Sequence, residues 1–377
     1  MDVLAVAEDE LEDLRSRLRR TRWATSWPGT GWEAGTDGNE LRRLVAYWAD
    51  GFDWRKQEAA LNALPSHFAD FDGVPVHYLR YDGEQPSALP LVLTHGWPSS
   101  VLELTELAHR LASPTQYGRP VEEAFTVIVP SLPGFPFSPQ RPSLPPATAT
   151  HELWHRLMRD ELGFARYGAH GGDLGAGISS LLGQAYPEEV VGIHLLAVAN
   201  PAPVDPDELS PEEQAYLDAE AEWFAEEGGY EHEQMTRPLT LSAGLSDSPA
   251  GLLAWLLEKY RAWSDCDGEV NTRFSDDYIL TQASLYWFTN SISTSFRPYY
   301  EFHRGLRERV TSVSVPTAIA VFPEDLVRPP RSWAARTYNV TRYTAMPRGG
   351  HFAAWEEPEL LAEDLVAFFR SVLKKKT

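Results

Sequence analysis

An aspartate stands in the middle of a glycine-rich stretch, Gly171-Gly172-Asp173-Leu174-Gly175, which follows a short apolar run. Small residues around a reactive side chain are typical of a nucleophile elbow, a tight strand-to-helix turn in which bulky neighbours would clash. Serine is the usual third residue of such a turn, and this chain has Asp173 there. The plainer alternative is that Asp173 only caps the helix that follows it.

A carboxylate in the nucleophile position suits a polarised carbon that carries no carbonyl group. A serine that attacked such a carbon would leave an ether, which water does not readily cleave. An aspartate leaves an ester, whose own carbonyl is the next target for water. Because covalent catalysis needs a second step that is easier than the uncatalysed reaction, Asp173 indicates displacement followed by ester hydrolysis.

A histidine and two candidate acids occur later in the chain. His351 follows two glycines in the stretch PRGGHFAAWEEP, and VFPEDLVRPP ends a predicted strand. The second stretch offers Asp325, with Glu324 beside it as the competing residue, to orient the histidine. A positioned histidine is the commonest general base, so these residues could activate the water that cleaves an ester.

The elements that must position these residues follow from the hydrophobic pattern. Short apolar runs alternate with helical patterns from residue 74, which predicts a mostly parallel sheet. The alternation stops after residue 200, where helices and loops follow, and later resumes. The predicted strands cover 75–81, 89–96, 125–132, 166–173, 190–198, 317–323 and 341–350, and the clearest helices cover 8–20, 39–50, 54–63 and 357–373. We divide the chain into an N-terminal segment (1–73), the first half of the core (74–202), a helical cap (203–310) and the second half of the core (311–377).

Composition narrows the possible partners and the compartment. The chain has 377 residues and a formal net charge of −21, which argues against nucleic acid or an anionic membrane as a partner. Its single cysteine, Cys266, excludes an internal disulfide and a thiolate metal cluster. Because no apolar run has the length of a signal or a membrane span, we expect a soluble cytoplasmic protein.

Together these motifs resemble the microsomal-type epoxide hydrolases of the α/β-hydrolase fold. The stretches HGWP, GGDLG, FPED and GGHFAAWEEP occur in the order of that family, and the likeness covers nearly the whole chain. The N-terminal meander is similar to the family's wrapping segment. The resemblance implies an α/β-hydrolase fold, with a mostly parallel central sheet and a helical cap insertion. It also implies hydrolysis of a small-molecule epoxide to a vicinal diol, with no cofactor and no metal.

The resemblance also assigns roles to single residues. Asp173 would be the nucleophile, and the family's pattern favours Asp325 over Glu324 as the orienting acid. The backbone amides of Trp97 and Leu174 would form the oxyanion hole. Tryptophan is usual in the family at the position of Leu174, so the pocket floor should differ in shape here.

Two tyrosines of the helical cap would point at the epoxide oxygen. Tyr230 and Tyr299 match the family's stretches, with Tyr300 as the competitor for the second role, and plain aromatic lining is the alternative for all of them. The aromatic-rich cap favours a bulky or aromatic epoxide, although core packing explains the same residues equally well. The likeness is greatest to bacterial members, some of which act in secondary metabolism such as antibiotic biosynthesis. A homodimer is left open.

Other functions compete with this interpretation. A haloalkane dehalogenase shares the aspartyl ester and the histidine, but binds a halide, often through tryptophan or asparagine. The stretch THELWHRL places His151 and His155 at the spacing of a zinc peptidase helix, which we interpret as coincidence. A catalytically inactive binding protein could share the fold, because a fold alone does not confer activity. His95 of HGWP is interpreted as structural.

Overall fold

The short apolar runs form one central sheet in the computed structural model, which describes residues 3–25, 27–142, 147–201 and 203–374. In chain order the strands are β1 (Ser66–Phe71), β2 (Val74–Tyr81), β3 (Leu89–Thr94), β4 (Phe125–Pro130), β5 (Tyr167–Gly171), β6 (Val190–Leu195), β7 (Val313–Val321) and β8 (Tyr338–Ala345). Within the described residues the sheet has eight strands in the order β1-β2-β4-β3-β5-β6-β7-β8. The pairs β1–β2 and β2–β4 are antiparallel, and the remaining pairs are parallel. The predicted mostly parallel sheet is confirmed.

The first strand is a feature that the sequence-based interpretation does not predict. Four of the six residues of β1 are exposed or only half-buried, so the strand lacks the apolar run on which the other predictions depend. It forms a hairpin with β2 through Asp72 and Gly73, whose φ angles are 59° and 81°. An Asp-Gly pair is a strong signal for a two-residue hairpin turn, because both positions need the left-handed conformation.

Helices surround the sheet and precede it. The N-terminal segment contains α1 (Glu8–Arg19), α2 (Gly38–Asp50) and α3 (Trp54–Asn62), and the core contains α4 (Thr105–Ala112), α5 (Thr150–Arg156), α6 (Asp173–Ala185), α14 (Arg331–Ala335), α15 (Ala353–Glu356) and α16 (Pro358–Lys374). The helices predicted at the two ends of the chain are confirmed within one or two residues. Asp53 caps α3, since its side chain accepts a hydrogen bond from the amide of Lys56 at 3.1 Å.

The two faces of the sheet bury different helices. Helices α4 and α16 pack against each other and against the sheet on one face, while α5 and α6 pack together and α6 lies against the strands from the other face. Strands buried on both sides read as continuous apolar runs. The central strands were therefore predictable from the sequence. Because the helices cover the faces of the sheet, the loops at the carboxyl ends of the strands are free to carry functional groups.

A helical insert connects β6 to β7. It contains α7 (Pro211–Glu227), α8 (Gly229–Thr236), α9 (Pro238–Leu245), α10 (Pro249–Ala262), α11 (Asp276–Phe288), α12 (Ile292–Ser295) and α13 (Arg297–His303). The N-terminal helices α1 and α2 pack against α10, so they lie against the insert as well as preceding the sheet. Among the residues described, no helix is both long and apolar enough to cross a bilayer.

Candidate active site

Asp173 lies in a sharp turn between β5 and α6. Its φ angle is 47°, in the left-handed region that an aspartate seldom adopts. A side chain at Gly175 would overlap the backbone carbonyl of Thr94 on β3, and one at Gly171 would overlap the backbone of Gly175. The glycines therefore let β3, β5 and α6 approach closely enough to present Asp173 at the carboxyl end of the sheet, as an elbow requires.

The carboxylate of Asp173 is held by backbone amides. The amide of Trp97 donates to its Oδ1 at 2.9 Å, and the amide of Leu174 also bonds to the carboxylate. Burial raises the pKa of Asp173 above its ordinary value, while the nearby His351 and the two amides oppose that rise. The HGWP loop and the elbow thus place two N–H donors at one carboxylate.

His95 plays a different part in the same loop. Its Nδ1 lies 3.0 Å from the carbonyl oxygen of Gly96, and its Nε2 accepts a hydrogen bond from the amide of Leu132 at 3.2 Å. Both ring nitrogens are thereby engaged with backbone, and burial lowers the pKa of His95 to about 4. The residue shapes the loop and stays neutral, in keeping with a structural role.

His351 connects the acid to the elbow. Its Nδ1 is 2.7 Å from Oδ1 of Asp325, and its Nε2 is 3.8 Å from Oδ2 of Asp173. Asp325 is therefore the acid that contacts His351. Its neighbour Glu324 pairs with the histidine loop through its backbone, at Gly349 and Gly350. Because Asp325 accepts from Nδ1, Nε2 is the nitrogen that faces Asp173.

The charge on His351 depends on the acids around it. Burial disfavours the imidazolium, but the charge and hydrogen bond of Asp325 and the charges of Asp173 and Glu103 outweigh burial and raise the pKa of His351 to about 9. The acids around the ring therefore favour the imidazolium form of His351 in the free site.

The helical insert holds the histidine loop in place. The amide of His351 donates to the carbonyl oxygen of Trp263 at 2.8 Å. The buried carboxylate of Glu356 accepts from the amide of Gly350 at 3.1 Å and from the amide of Asp265 at 2.8 Å. The insert and the core are thus joined directly at the residue that bridges Asp325 and the elbow.

Two tyrosines of the insert meet above the elbow. The ring of Tyr230 stacks on Trp97 with centroids 5.4 Å apart, and the ring of Tyr299 meets Trp97 edge-on at 6.1 Å. Burial raises the pKa of both phenols well above the ordinary value, and the charge of Asp173 adds to this. The hydroxyl of Tyr299 is buried without a hydrogen-bond partner among the described residues. Tyr300 is 36% exposed, whereas Tyr299 is 8% exposed.

Glu103 is a residue of the site that sequence reasoning missed. It lies in a cavity behind Asp173 and is only 8% exposed, and burial raises its pKa to about 7, against the opposing influence of Ser99 and His351. The cavity is lined by Thr94, His95, Gly96, Trp97, Glu103, Leu104, His170, Gly172, Asp173, Leu196, His351, Phe352 and Ala354. One signal was available: Glu103 shares the apolar side of its helical pattern with Leu107 and Leu111, at intervals of four.

The zinc-peptidase spacing has a packing explanation in the structure. The ring of His155 stacks on Tyr186 with centroids 3.6 Å apart, and its Nδ1 bonds the hydroxyl of Tyr167 at 2.9 Å. His151 is buried with its Nε2 3.6 Å from a carboxylate oxygen of Glu308. In the described part of the chain, no group of three or more histidine, cysteine or acidic side chains is arranged to hold a metal ion.

Comparison with known protein families matches two regions of the chain. Residues 3–104 match a family described as the epoxide hydrolase N terminus, and residues 89–358 match the alpha/beta hydrolase fold. Among curated proteins, the chain is 40% identical to a "Putative epoxide hydrolase" of Stigmatella aurantiaca, over 99% of this chain and 85% of that one. It is 33% identical to Epoxide hydrolase 1 of Sus scrofa, over 96% of this chain and 86% of that one.

Solved structures of epoxide hydrolases resemble the chain over nearly its whole length. The juvenile hormone epoxide hydrolase of the silkworm Bombyx mori superposes with a TM-score of 0.88 at 30% identity, covering 99% of this chain and 94% of that one. The epoxide hydrolase of Aspergillus niger superposes with a TM-score of 0.85 at 31% identity, covering 98% of this chain and 95% of that one.

Proposed function

The chain belongs to the epoxide hydrolases of the α/β-hydrolase fold, and we propose that it hydrates its substrate through a covalent ester on Asp173. It is an enzyme that converts an epoxide to a vicinal diol, so the family membership decides against the dehalogenase and the inactive binding protein. One buried group of side chains and backbone amides supports this mechanism. Asp173 receives the amide of Trp97 at 2.9 Å and lies 3.8 Å from Nε2 of His351, whose Nδ1 bonds Asp325.

In the first step an oxygen of Asp173 attacks a ring carbon of the epoxide. A new carbon–oxygen bond forms, the strained ring bond breaks, and its electron pair stays on the ring oxygen. Tyr230 and Tyr299 hydrogen-bond that oxygen, and one of them transfers its proton to it. An alkoxide is a stronger base than a phenolate, so the transfer is favourable even though burial raises the pKa of both tyrosines.

Ester formation then changes the charge of the site. Asp173 loses its negative charge, which is one of the charges that raise the pKa of His351 to about 9. The imidazolium therefore becomes more acidic at the moment when a tyrosinate has formed nearby. Its proton moves to the tyrosinate, which leaves His351 neutral and able to act as a base.

In the second step neutral His351 takes a proton from water, and the water oxygen attacks the carbonyl carbon of the ester. The amides of Trp97 and Leu174 stabilise the resulting oxyanion, and losing one such donor typically costs about 10²–10³ in rate. General base catalysis by the histidine contributes roughly 10²–10⁴. The acyl bond breaks, and the second proton of the water passes from the new carboxyl group to the leaving alkoxide. The diol then departs, which restores the carboxylate of Asp173 and the imidazolium.

This cycle balances its atoms and protons within the site. One water molecule is consumed, and the proton that a tyrosine gives to the product returns through His351. Only side chains, two backbone amides and one water take part. Asp325 keeps Nδ1 of His351 protonated throughout, so that Nε2 performs every proton transfer of the ring.

Narrower parts of the sequence-based interpretation remain predictions. They are a cytoplasmic location, a part in secondary metabolism such as antibiotic biosynthesis, a homodimer, and a bulky or aromatic substrate. The last is supported by the rings gathered at Trp97, where Tyr230, Trp263, Phe296 and Tyr299 all lie within 6.1 Å between centroids.

Trapping the ester tests the mechanism. In His351→Gln the first step remains possible and the second loses its base, so styrene oxide should add the mass of one substrate molecule to the protein. Intact-protein mass spectrometry measures this, and peptide mapping should locate the added mass at Asp173. Asp173→Ala is the matched control and should gain no mass. A His351→Gln protein that turns over substrate without any mass added to Asp173 would contradict the proposal.

A further inference from the structure

A buried glutamine of the insert has polar atoms that the fold does not use. Gln234 on α8 is 0% exposed, and both its Oε1 and its Nε2 lack a hydrogen-bond partner among the described residues. Buried polar groups are nearly always paired, because an unpaired one destabilises the folded state. Such an amide can be paired by a bound molecule, either an ordered water or a group of the substrate.

The other fully buried glutamine of the insert shows the contrast. Gln282 on α11 accepts from the hydroxyl of Ser100 at 3.0 Å and donates to the hydroxyl of Tyr278 at 3.1 Å. It is also 0% exposed, so burial alone does not leave a glutamine unpaired in this protein. The unpaired amide is a property of the place that Gln234 occupies.

Gln234 lies on the same helix as a residue of the site. Gln234 follows Tyr230 by four residues on the buried side of α8, and such side chains lie roughly 5–6 Å apart along a helix face. The ring of Tyr230 stacks on Trp97, whose amide donates to Asp173. Helix α8 packs against α13, which carries Tyr299, and the hydroxyl of Tyr299 is likewise unpaired among the residues described.

We propose that Gln234 is a specificity-determining residue that hydrogen-bonds a hydroxyl group on the substrate. The hydroxyl would lie about one helical turn from the oxirane oxygen that Tyr230 and Tyr299 contact. A hydroxyl both donates and accepts, so it can pair with Oε1 and Nε2 together. The preferred substrates are then hydroxylated epoxides, and simple hydrocarbon epoxides are hydrolysed less efficiently. This inference rests on the proposed function, since it takes the two tyrosines as the groups that bind the ring oxygen.

Two matched probes test the proposal on the full-length enzyme. One is a terminal epoxide with a hydroxyl group four methylenes from the ring, and the other has a methyl group in place of that hydroxyl. We expect wild-type kcat/KM to favour the hydroxylated probe by about tenfold or more, because its hydroxyl pairs the amide of Gln234, which the methyl probe leaves as unpaired as it is in the free enzyme. Gln234→Leu should lower kcat/KM about tenfold for the hydroxylated probe and leave the methyl probe within about twofold.

A wild-type enzyme that treats both probes alike would overturn the proposal, as would a Gln234→Leu variant that loses both activities equally. Failure of the ester mechanism is distinguishable, because it would appear as a missing adduct on Asp173 in His351→Gln, whichever probe is preferred.

Thermal unfolding separates a ligand-binding role from a structural one. Leucine has a similar volume and removes two unpaired polar atoms, so Gln234→Leu should keep or raise the melting temperature. Gln282→Leu is the matched control and should lower it, because Ser100 and Tyr278 lose their partner. If Gln234→Leu lowers the melting temperature as much as Gln282→Leu, the amide is structural and the proposal is wrong.

Discussion

At the scale of single residues, the site is governed by the proton on His351. Asp325 lies 2.7 Å from its Nδ1, Asp173 lies 3.8 Å from its Nε2, and the buried Glu103 adds a third acid nearby. The same charges that hold the imidazolium in the free enzyme would prevent it from acting as a base. A mechanism that removes the charge of Asp173 by ester formation releases the base at the step that needs it.

The pKa of His351 should therefore fall when either acid is neutralised. Opposite charge favours the imidazolium, so its loss lowers the pKa from about 9. Asp325→Asn should lower it more than Asp173→Asn, because Asp325 also forms a hydrogen bond to the ring. Nitrogen-15 NMR titration of the histidine side chains measures both midpoints.

The neighbouring acid Glu324 provides the control for that titration. Its side chain does not contact His351, so Glu324→Gln should leave the midpoint where it is in the wild type. If Asp173→Asn also left the midpoint unchanged, ester formation could not release the base, and the charge argument would be wrong.

Sequence reasoning found the residues whose chemistry requires a motif. Short stretches with glycine contain Asp173, Trp97 and His351. Such stretches can be recognised in a sequence because the backbone must turn sharply there. Glu103 and Gln234 stand in no such stretch, and a polar residue in a helical pattern is normally exposed. The spacing of Glu103 with Leu107 and Leu111 was the one sequence signal of burial, and for Gln234 only the packing of other elements shows it.

At the scale of elements, the elbow depends on the closeness of β3, β5 and α6. A methyl group at Gly175 would overlap the carbonyl of Thr94, whereas one at Gly177 would meet nothing within 4 Å. Gly175→Ala should destabilise the protein by about 1–3 kcal/mol through overpacking, and should reduce activity by displacing Asp173.

Gly177→Ala is the matched control within the same helix. It should be neutral or stabilise the protein by roughly 0.5–1 kcal/mol, because alanine favours a helix over glycine. Urea unfolding of the two variants measures the difference, and equal stabilities would contradict the close packing of the elbow.

The elements also show where sequence patterns stop being informative. Both Tyr299 and Tyr300 lie on α13, and successive residues of a helix point about 100° apart. The structure turns Tyr299 toward Trp97 and leaves Tyr300 36% exposed, and no property of the two residues themselves could have decided this. The hairpin of β1, in contrast, had a recognisable signal in the sequence, because the pair Asp72-Gly73 is typical of a two-residue turn.

At the scale of the whole molecule, the N-terminal segment supports the helical insert. Arg17 on α1 bonds the carboxylate of Asp247 at 2.7 Å, and the indole of Trp48 on α2 donates to the hydroxyl of Ser284 at 3.0 Å. Because the insert carries Tyr230 and contacts the loop of His351, this support extends to the site. The sequence indicated the insert, where the strand alternation stops, but the faces by which these parts meet depend on long-range packing. Our division into four segments remains an interpretation.

The proposed mechanism depends on the covalent ester on Asp173, and one turnover in water enriched in oxygen-18 detects that ester. With enzyme in excess, water attacks the carbonyl carbon of the ester, so the label should enter the carboxylate of Asp173 and the first diol should be unlabelled. Mass spectrometry of the peptide that contains Asp173 and of the diol reads both positions. Label in the diol of that first turnover, with none in Asp173, would show that water attacks the epoxide directly and that no ester forms on Asp173.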